Sequence, residues 1–378
     1  KAHFVMYEAQ SNTFNLNSGY TLIIDFQLSA SFSVDQQVSI GSRAQPKSLI
    51  ELALPVDIVS PQEIANAAQT ELSQILHYLV PSFNSTHQTI SDGTDHIDPA
   101  TLRGLGPDQV LVLVNGKRRH SSSLLNVNGT LGRGSVGTDF NAIPVSSVDR
   151  IEILRDGAAA QYGSDAIAGV INIILKEKTG SIDIRSQYGG NTAGDGMTSF
   201  TGANLGLPLG KNGFISLTTE YRKRDATNRA GNYTGNIYPS GSPFSTTDFF
   251  NNGPYDDQRV MEIGNADTRN TALFFNLEVP LYQDVTFYGH GGKNFRQSTS
   301  HAFYRFPVSE TQVVTEIFPH GFSPEISTDI ADDALTFGIK TTKNEWDVDF
   351  SNTIGNNSMN FQIKNTINAS LGQASPNV

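Results

Sequence analysis

The chain has 378 residues, a formal net charge of −11 from 26 Lys and Arg against 37 Asp and Glu, and no cysteine. That length holds two or three domains. The acidic balance, with cations scattered rather than clustered, excludes a nucleic-acid partner, and the missing thiols exclude disulfide scaffolds, thiolate metal sites and cysteine nucleophiles.

In chain order, residues 1–45 read as a small β extension and linker. Tyr20 to Phe26 and Val34 to Ile40 have strand character, with a turn at Asn17, Ser18 and Gly19 before the first run. Residues 46–178 read as a mixed globular domain. Ser60 and Pro61 mark a helix start, and Ile64, Ala68, Leu72, Ile75, Leu76 and Leu79 predict one amphipathic helix that ends at Pro81. Val110 to Val114 is a continuous apolar run closed by Asn115-Gly116, which predicts a strand buried on both faces. Val148 to Leu154 and Val170 to Leu175 are further strands, separated by the small-residue stretch Gly157 to Gly163.

Residues 179–378 change to long alternating runs. Ile215, Leu217, Thr219 and Tyr221 stand against Ser216, Thr218 and Glu220; Leu273, Phe275, Leu277 and Val279 stand against Asn276 and Glu278, with Phe274 an exception on the polar side. Trp346, Val348 and Phe350 alternate with Asp347 and Asp349, and Phe361 and Ile363 with Gln362 and Lys364. Such a period suits a sandwich or a membrane barrel. Short turns near 208–212, 281–283 and 342–344 alternate with long polar loops near 225–270 and 307–333, and that asymmetry favours the barrel. About eight strands are expected between Ser181 and Leu371; a closed barrel of that size has no room for a separate plug.

Two blocks carry a family resemblance. Arg103-Gly104-Leu105-Gly106 followed by Val110 to Gly116, and Val148 to Arg155 followed by Asp156-Gly157, Gln161 to Gly169 and Val170 to Leu175, resemble in order the two halves of a TonB-dependent receptor plug. The chain departs from many members in reading Arg155-Asp156-Gly157 where they have Arg-Gly-Pro, and in a longer insertion from Lys117 to Asn141.

The resemblance implies a mixed α/β plug domain followed by a transmembrane antiparallel β-barrel, with about eight of the family's 22 strands in this chain. It implies an integral protein of the Gram-negative outer membrane, of the Bacteroidota type. Such a protein imports a scarce, bulky nutrient, a ferric chelate being favoured over cobalamin, oligosaccharide or peptide. The implied partners are TonB with ExbB and ExbD, the lipid bilayer and a surface lipoprotein. Gln36, Gln37, Val38, Ser39, Ile40 and Gly41 occupy the position of a TonB box, which works by adding as a strand to its partner.

Within the plug motif (Arg103, Gly104, Asn115, Gly116, Arg150, Glu152, Arg155, Gly157, Tyr162, Gly163, Gly169) the glycines serve tight turns and Tyr162 packs in the core. Arg150 and Glu152 share a strand face from which they could pair with carboxylates of the barrel lumen. By the resemblance, the strand before Lys117 ends near the outward apex, so Lys117, Arg118, Arg119, His120, Asn128 and Arg133 are the substrate-contact candidates. Gly132 to Gly137 matches a dinucleotide glycine pattern by letter, without the strand and helix that pattern needs. No catalytic residue, metal site or cofactor is expected, and His87 with His96 is too loose a pair for a metal. The alternative readings are a structural or assembly subunit of a larger outer-membrane complex, and a soluble β-rich adhesin or hydrolase.

Overall fold

The computed structural model describes residues 37–38, 47–48 and 56–376, apart from 128, 156–157, 253–258, 283 and 345. The run at Tyr20 to Phe26 lies outside the described residues. Of the run at Val34 to Ile40 only β1 (Gln37–Val38) is described, and it pairs antiparallel with β2 (Lys47–Ser48).

The globular unit is built on a five-stranded sheet in the order β3 (Val56–Val59), β8 (Val148–Leu154), β9 (Gly169–Leu175), β6 (Val110–Val114) and β7 (Lys117–Arg118). A short ladder of β4 (Phe83–Asn84) and β5 (Thr101–Leu102) stands beside it. β6 runs parallel to β9 and is buried on both faces, as its unbroken apolar run predicts. Val110, Val112 and Val114 join Ile151, Ile153, Ile171 and Ile173 in one core, while Leu111 and Leu113 join Leu154 and Val170 in a second.

The single helix expected from residue 64 to 79 is two. α1 (Pro61–Asn66) opens with a capping box in which the Glu63 amide donates to Ser60 Oγ and the Ser60 amide to Glu63 Oε2. The chain breaks at Ala68, with φ +54°, and resumes as α2 (Leu72–Leu79), whose Leu72, Ile75 and Leu76 enter the first core. Donors from other strands hold the break: Gln187 Nε2 reaches Ala68 O at 2.8 Å and Arg222 Nη1 reaches Thr70 O at 2.7 Å. A continuous helix would spend those carbonyls internally, so tertiary donors override the local periodicity.

After Gly180 come seven strands, each antiparallel to the next and in sequence order: β10 (Ser181–Gly189), β11 (Thr198–Leu209), β12 (Gly213–Arg224), β13 (Asp267–Tyr282), β14 (Val285–His301), β15 (Glu325–Lys343) and β16 (Trp346–Lys364). Among the described residues there are seven rather than about eight, because β14 to β16 run to 17 or 19 residues and absorb sequence that shorter strands would divide. Connections of two or three residues, 210–212, 283–284 and 344–345, mark one rim; longer links, 190–197, 225–266 and 302–324, mark the other. The last link ends nine residues before the expected Asp333, since Glu325 to Asp333 continues as strand.

Facing decides between sandwich and barrel. Ser216, Thr218 and Glu220 are at most 5% exposed against the plug, whereas Leu217 and Tyr221 are 41% and 46% exposed on the outside. The wall is therefore inverted, polar inward and apolar outward, as a membrane barrel requires. Phe274, the apparent exception, faces inward and packs into the plug core. β16 corrects the expected pattern: Trp346, Val348, Phe350 and Ile354 are exposed outside, but Phe361 lies inward beside Gly93. The set changes faces where the strand climbs past the apolar belt towards the long links.

An outward Leu217→Arg substitution is expected to lower folding stability in phospholipid vesicles by about 2–4 kcal/mol, the cost of an arginine near the bilayer midplane. Reversible guanidinium titration measures it; a change under about 0.5 kcal/mol would place that face away from lipid.

Candidate functional site

The described plug motif residues are engaged mostly within the plug, with Asn115 Nδ2 also donating to Asn276 Oδ1 of the wall at 3.1 Å. Asn115 and Gly116, with φ of +48° and +76°, form the two-residue turn between β6 and β7 that a right-twisted hairpin favours. The Gly116 amide donates to Asn172 Oδ1 at 2.9 Å, and Asn172 Nδ2 donates to Glu152 Oε2 at 3.1 Å. Arg150 Nη2 donates to Glu152 Oε1 at 2.9 Å and Arg150 lies 3.6 Å from Asp149, so this pair is engaged within the plug sheet, by β8 itself and by Asn172 of β9. Glu152 and Asn172 are fully buried, and a buried carboxylate must be matched where it stands.

Arg103 donates to the Arg155 carbonyl, and Arg155 pairs with Asp57, which clips the corner between β3 and β8. Gly169 (φ +143°) allows the close approach expected of it: an added Cβ would lie 2.6 Å from Leu154 O. Gly104 and Gly163 also have positive φ, and Tyr162 packs against the second core. Gly157 lies outside the described residues.

The largest concentration of buried charge lies between plug and wall. Arg222, Asn270 and Arg296 stand opposite one another on β12, β13 and β14, all facing inward. Arg222 Nη1 donates to the Thr70 carbonyl, and Arg296 Nη1 donates both to Asp139 Oδ2 at 2.9 Å and to the His96 carbonyl at 3.0 Å. Two positions further up β12, Arg224 Nη1 donates to Glu71 Oε2 at 2.7 Å. His87 closes the group, 2.8 Å from Asp98 and 3.4 Å from Glu71.

Burial alone would raise the Glu71 carboxyl, but Arg224, His87 and Arg222 outweigh it and hold its pKa at about 2. Burial likewise disfavours a charged His87, yet the Asp98 carboxylate raises its pKa. Burial pushes Asp139 up against the opposing pull of Arg296. Glu71, His87 and Asp98 could offer a metal three ligand atoms, a grouping their distant sequence positions conceal. Arg224 already lies inside that donor set, 3.2 Å from His87 Nε2, so the set is matched by an internal cation.

The basic turn is placed differently from the expectation. It does not end at the apex towards the long links. Lys117 sits near the short-turn rim, 2.9 Å from Asp349 and 5.5 Å above the Tyr288 ring. Arg119 pairs with Asp332 of β15, which His120 Nε2 also meets at 2.9 Å, and Arg118 pairs with Asp165. The cause is strand direction: β6 runs parallel to β9, whose end leads directly to the foot of β10. Arg133 is exposed on the long insertion, and Asn128 lies outside the described residues. Segment 132–137 is loop followed by a short 3-10 turn, without the helix a dinucleotide site needs.

The plug reaches the long-link rim through residues 86–98 instead. Thr89 Oγ1 accepts from the Gly264 amide at 2.9 Å, and His96 meets Ser298 at 2.6 Å and Ser300 at 3.3 Å near the end of β14. Glu71, Asp139, Arg222, Arg224, Arg296 and Asp332 were not among the sequence candidates. For Arg222, Arg224, Arg296 and Asp332 the signal was present as charges at alternate, lumen-facing positions of otherwise barrel-like strands; Glu71 and Asp139, on the plug, carried no such pattern. Gln37 and Val38 pair with Ser48 and Lys47 in β1 and β2, while Gln36, Ser39, Ile40 and Gly41 lie outside the described residues.

The family model for the TonB-dependent receptor plug domain matches residues 48–170. A ferric enterobactin receptor of Pseudomonas aeruginosa is 33% identical over 172 residues, 44% of this chain and 22% of that protein. A vitamin B12 transporter of Vibrio cholerae is 34% identical over 192 residues, 49% of this chain and 28% of that protein. Two solved structures share the fold with TM-scores of 0.51. One is a ferric enterobactin receptor mutant of Pseudomonas aeruginosa, 19% identical, with 83% of this chain and 47% of that one covered. The other is the ferric preacinetobactin receptor of Acinetobacter baumannii, 12% identical, with 88% and 51% covered. The chain thus spans about a quarter of the curated relatives' length and about half of the solved ones.

Removing Arg224 leaves Glu71 buried with weaker partners, so Arg224→Met is expected to loosen the plug by about 3 kcal/mol, read as faster amide exchange in α2, with Glu71→Gln added in the same chain recovering most of it. Because the folded Glu71 pKa lies below its unfolded value of 4.5, this contribution is complete above pH 4.5 and fades as pH falls towards about 2. Exchange measured across that window should show the loss in the parent and not in Glu71→Gln.

Proposed function

From the premise that this chain belongs to the TonB-dependent receptors, whose plug and first barrel strands it carries, we propose that the complete protein imports a scarce, bulky nutrient across the Gram-negative outer membrane. The carrying observation is the charged seam: the plug has its own apolar core, but it meets the wall largely through ion pairs and polar hydrogen bonds. Contacts of that kind can be exchanged for water, as a plug that must move and return requires.

Ligand binds from the long-link side, where residues 86–98 and the links meet. TonB, energised by ExbB and ExbD, engages the segment Gln36 to Gly41 by strand addition and pulls the plug. Ligand can promote this only by preferring one of two states of the plug. A ferric chelate remains the favoured class; the relatives' names also support cobalamin.

The test is site-specific crosslinking from positions 37 and 38 to the periplasmic domain of TonB in native membranes, together with uptake. Ligand-strengthened crosslinks and energy-dependent uptake are expected. Abundant folded protein with neither would shift the reading to a structural subunit of the outer membrane.

A further inference from the structure

By sequence, the links on the long-link rim carry an excess of negative charge. Links 190–197, 225–266 and 302–324 contain eight acidic residues and three arginines, and the plug segment 86–98 adds three aspartates with no Lys or Arg. The arginines are engaged locally: Arg229 Nη1 and Nη2 donate to the two carboxylate oxygens of Asp195, Arg305 extends to Gln312, and Arg259 has an interaction of its own. By contrast Asp92, Glu310 and Glu316 are exposed and have no ion pair among the described residues. The basic run of the plug, Lys117 to His120, is matched by carboxylates: Lys117 by Asp349 near the short-turn rim, Arg118 by Asp165, and Arg119 and His120 by Asp332 part-way along the wall. An anion approaching these links meets an excess of negative charge, with no exposed cation cluster among the described link residues.

The same links present aromatic surface. Tyr238, Phe249 and Tyr304 pack together, Tyr238 OH lies 2.6 Å from His320 Nδ1, and Phe244 remains 42% exposed beside them. The exposed Phe244 ring, backed by this buried aromatic cluster and set among carboxylates, favours cations and neutral organic groups.

We infer that the substrate is neutral or cationic rather than polyanionic. For a ferric chelate this selects donor groups that bring one negative charge each, as hydroxamates do, so that the iron is just neutralised, with an added ammonium group preferred. Catecholates bring two each and leave a trianion, which this mouth disfavours. The inference rests on the import reading and narrows its ligand.

The test uses the full-length receptor in lipid nanodiscs and three probes of similar size: a ferric tris-catecholate trianion, a neutral ferric tris-hydroxamate, and a tris-hydroxamate bearing an ammonium group. Calorimetric binding at low salt should rank the cationic probe first and the trianion last, separated by about tenfold or more, with the gap narrowing at high salt. Replacing Asp92, Glu310 and Glu316 together by Asn, Gln and Gln should shrink the gap between the cationic and neutral probes several-fold. A trianion bound as tightly as the cationic probe, or tighter, overturns the charge inference while leaving import intact. A receptor that takes up none of the probes and gives no TonB crosslink loses the import reading, and this inference with it.

Discussion

The wall turns its apolar residues towards lipid, and that single choice obliges the other face of each strand to be polar. Strand period then places Ser216, Thr218, Glu220, Arg222 and Arg224 in one inward column on β12, where burial against the plug removes their water. Each buried charge must find a partner on the body that fills the lumen. The plug's shape follows from this demand as much as from its own core. The break between α1 and α2 exposes carbonyls of Gln69 and Thr70 to wall arginines and places Glu71 against Arg224.

Two kinds of adhesion therefore coexist. Inside the plug, fully buried side chains such as Ile151, Ile153, Ile171 and Leu76 each contribute about 1.5–3 kcal/mol of transfer free energy, a cohesion directed into the plug's own core rather than across the seam. At the seam, desolvation nearly offsets the attraction of each ion pair, so the pairs set register more than they add stability. Several seam atoms, among them Asn294 Oδ1 and Nδ2, Asn270 Nδ2 and Asp98 Oδ1, have no hydrogen-bond partner among the described residues, and polar sites of that kind suit ordered water. A body with a firm core and a wet, register-setting boundary can shift without unfolding.

Much of this was legible in the residues. β6 and β8 lie where their apolar runs end, the Asn115-Gly116 turn has the geometry its residues demand, and the alternation of β12 and β13 points the way a barrel requires. Local signals failed where distant groups intervened. The periodicity from Ile64 to Leu79 could not register that wall donors would claim the carbonyls between its halves. The pairing of the basic turn at Lys117 was not legible because its acidic partners, Asp332 and Asp349, lie more than 200 residues away. The facing of Phe361 was not legible because one strand's alternation does not say where the membrane ends.

The central claim is that the plug opens as a unit of its own, released at a polar seam while the wall stays paired. Hydrogen–deuterium exchange of the full-length protein in bilayers, followed through increasing denaturant, addresses it directly. Amides of β6, β8 and β9 should exchange together, at lower denaturant than those of β12 to β15, and should do so earlier still when Arg222, Arg224 and Arg296 are replaced by Met. Exchange of plug and wall in one common transition, unmoved by those replacements, would contradict the account.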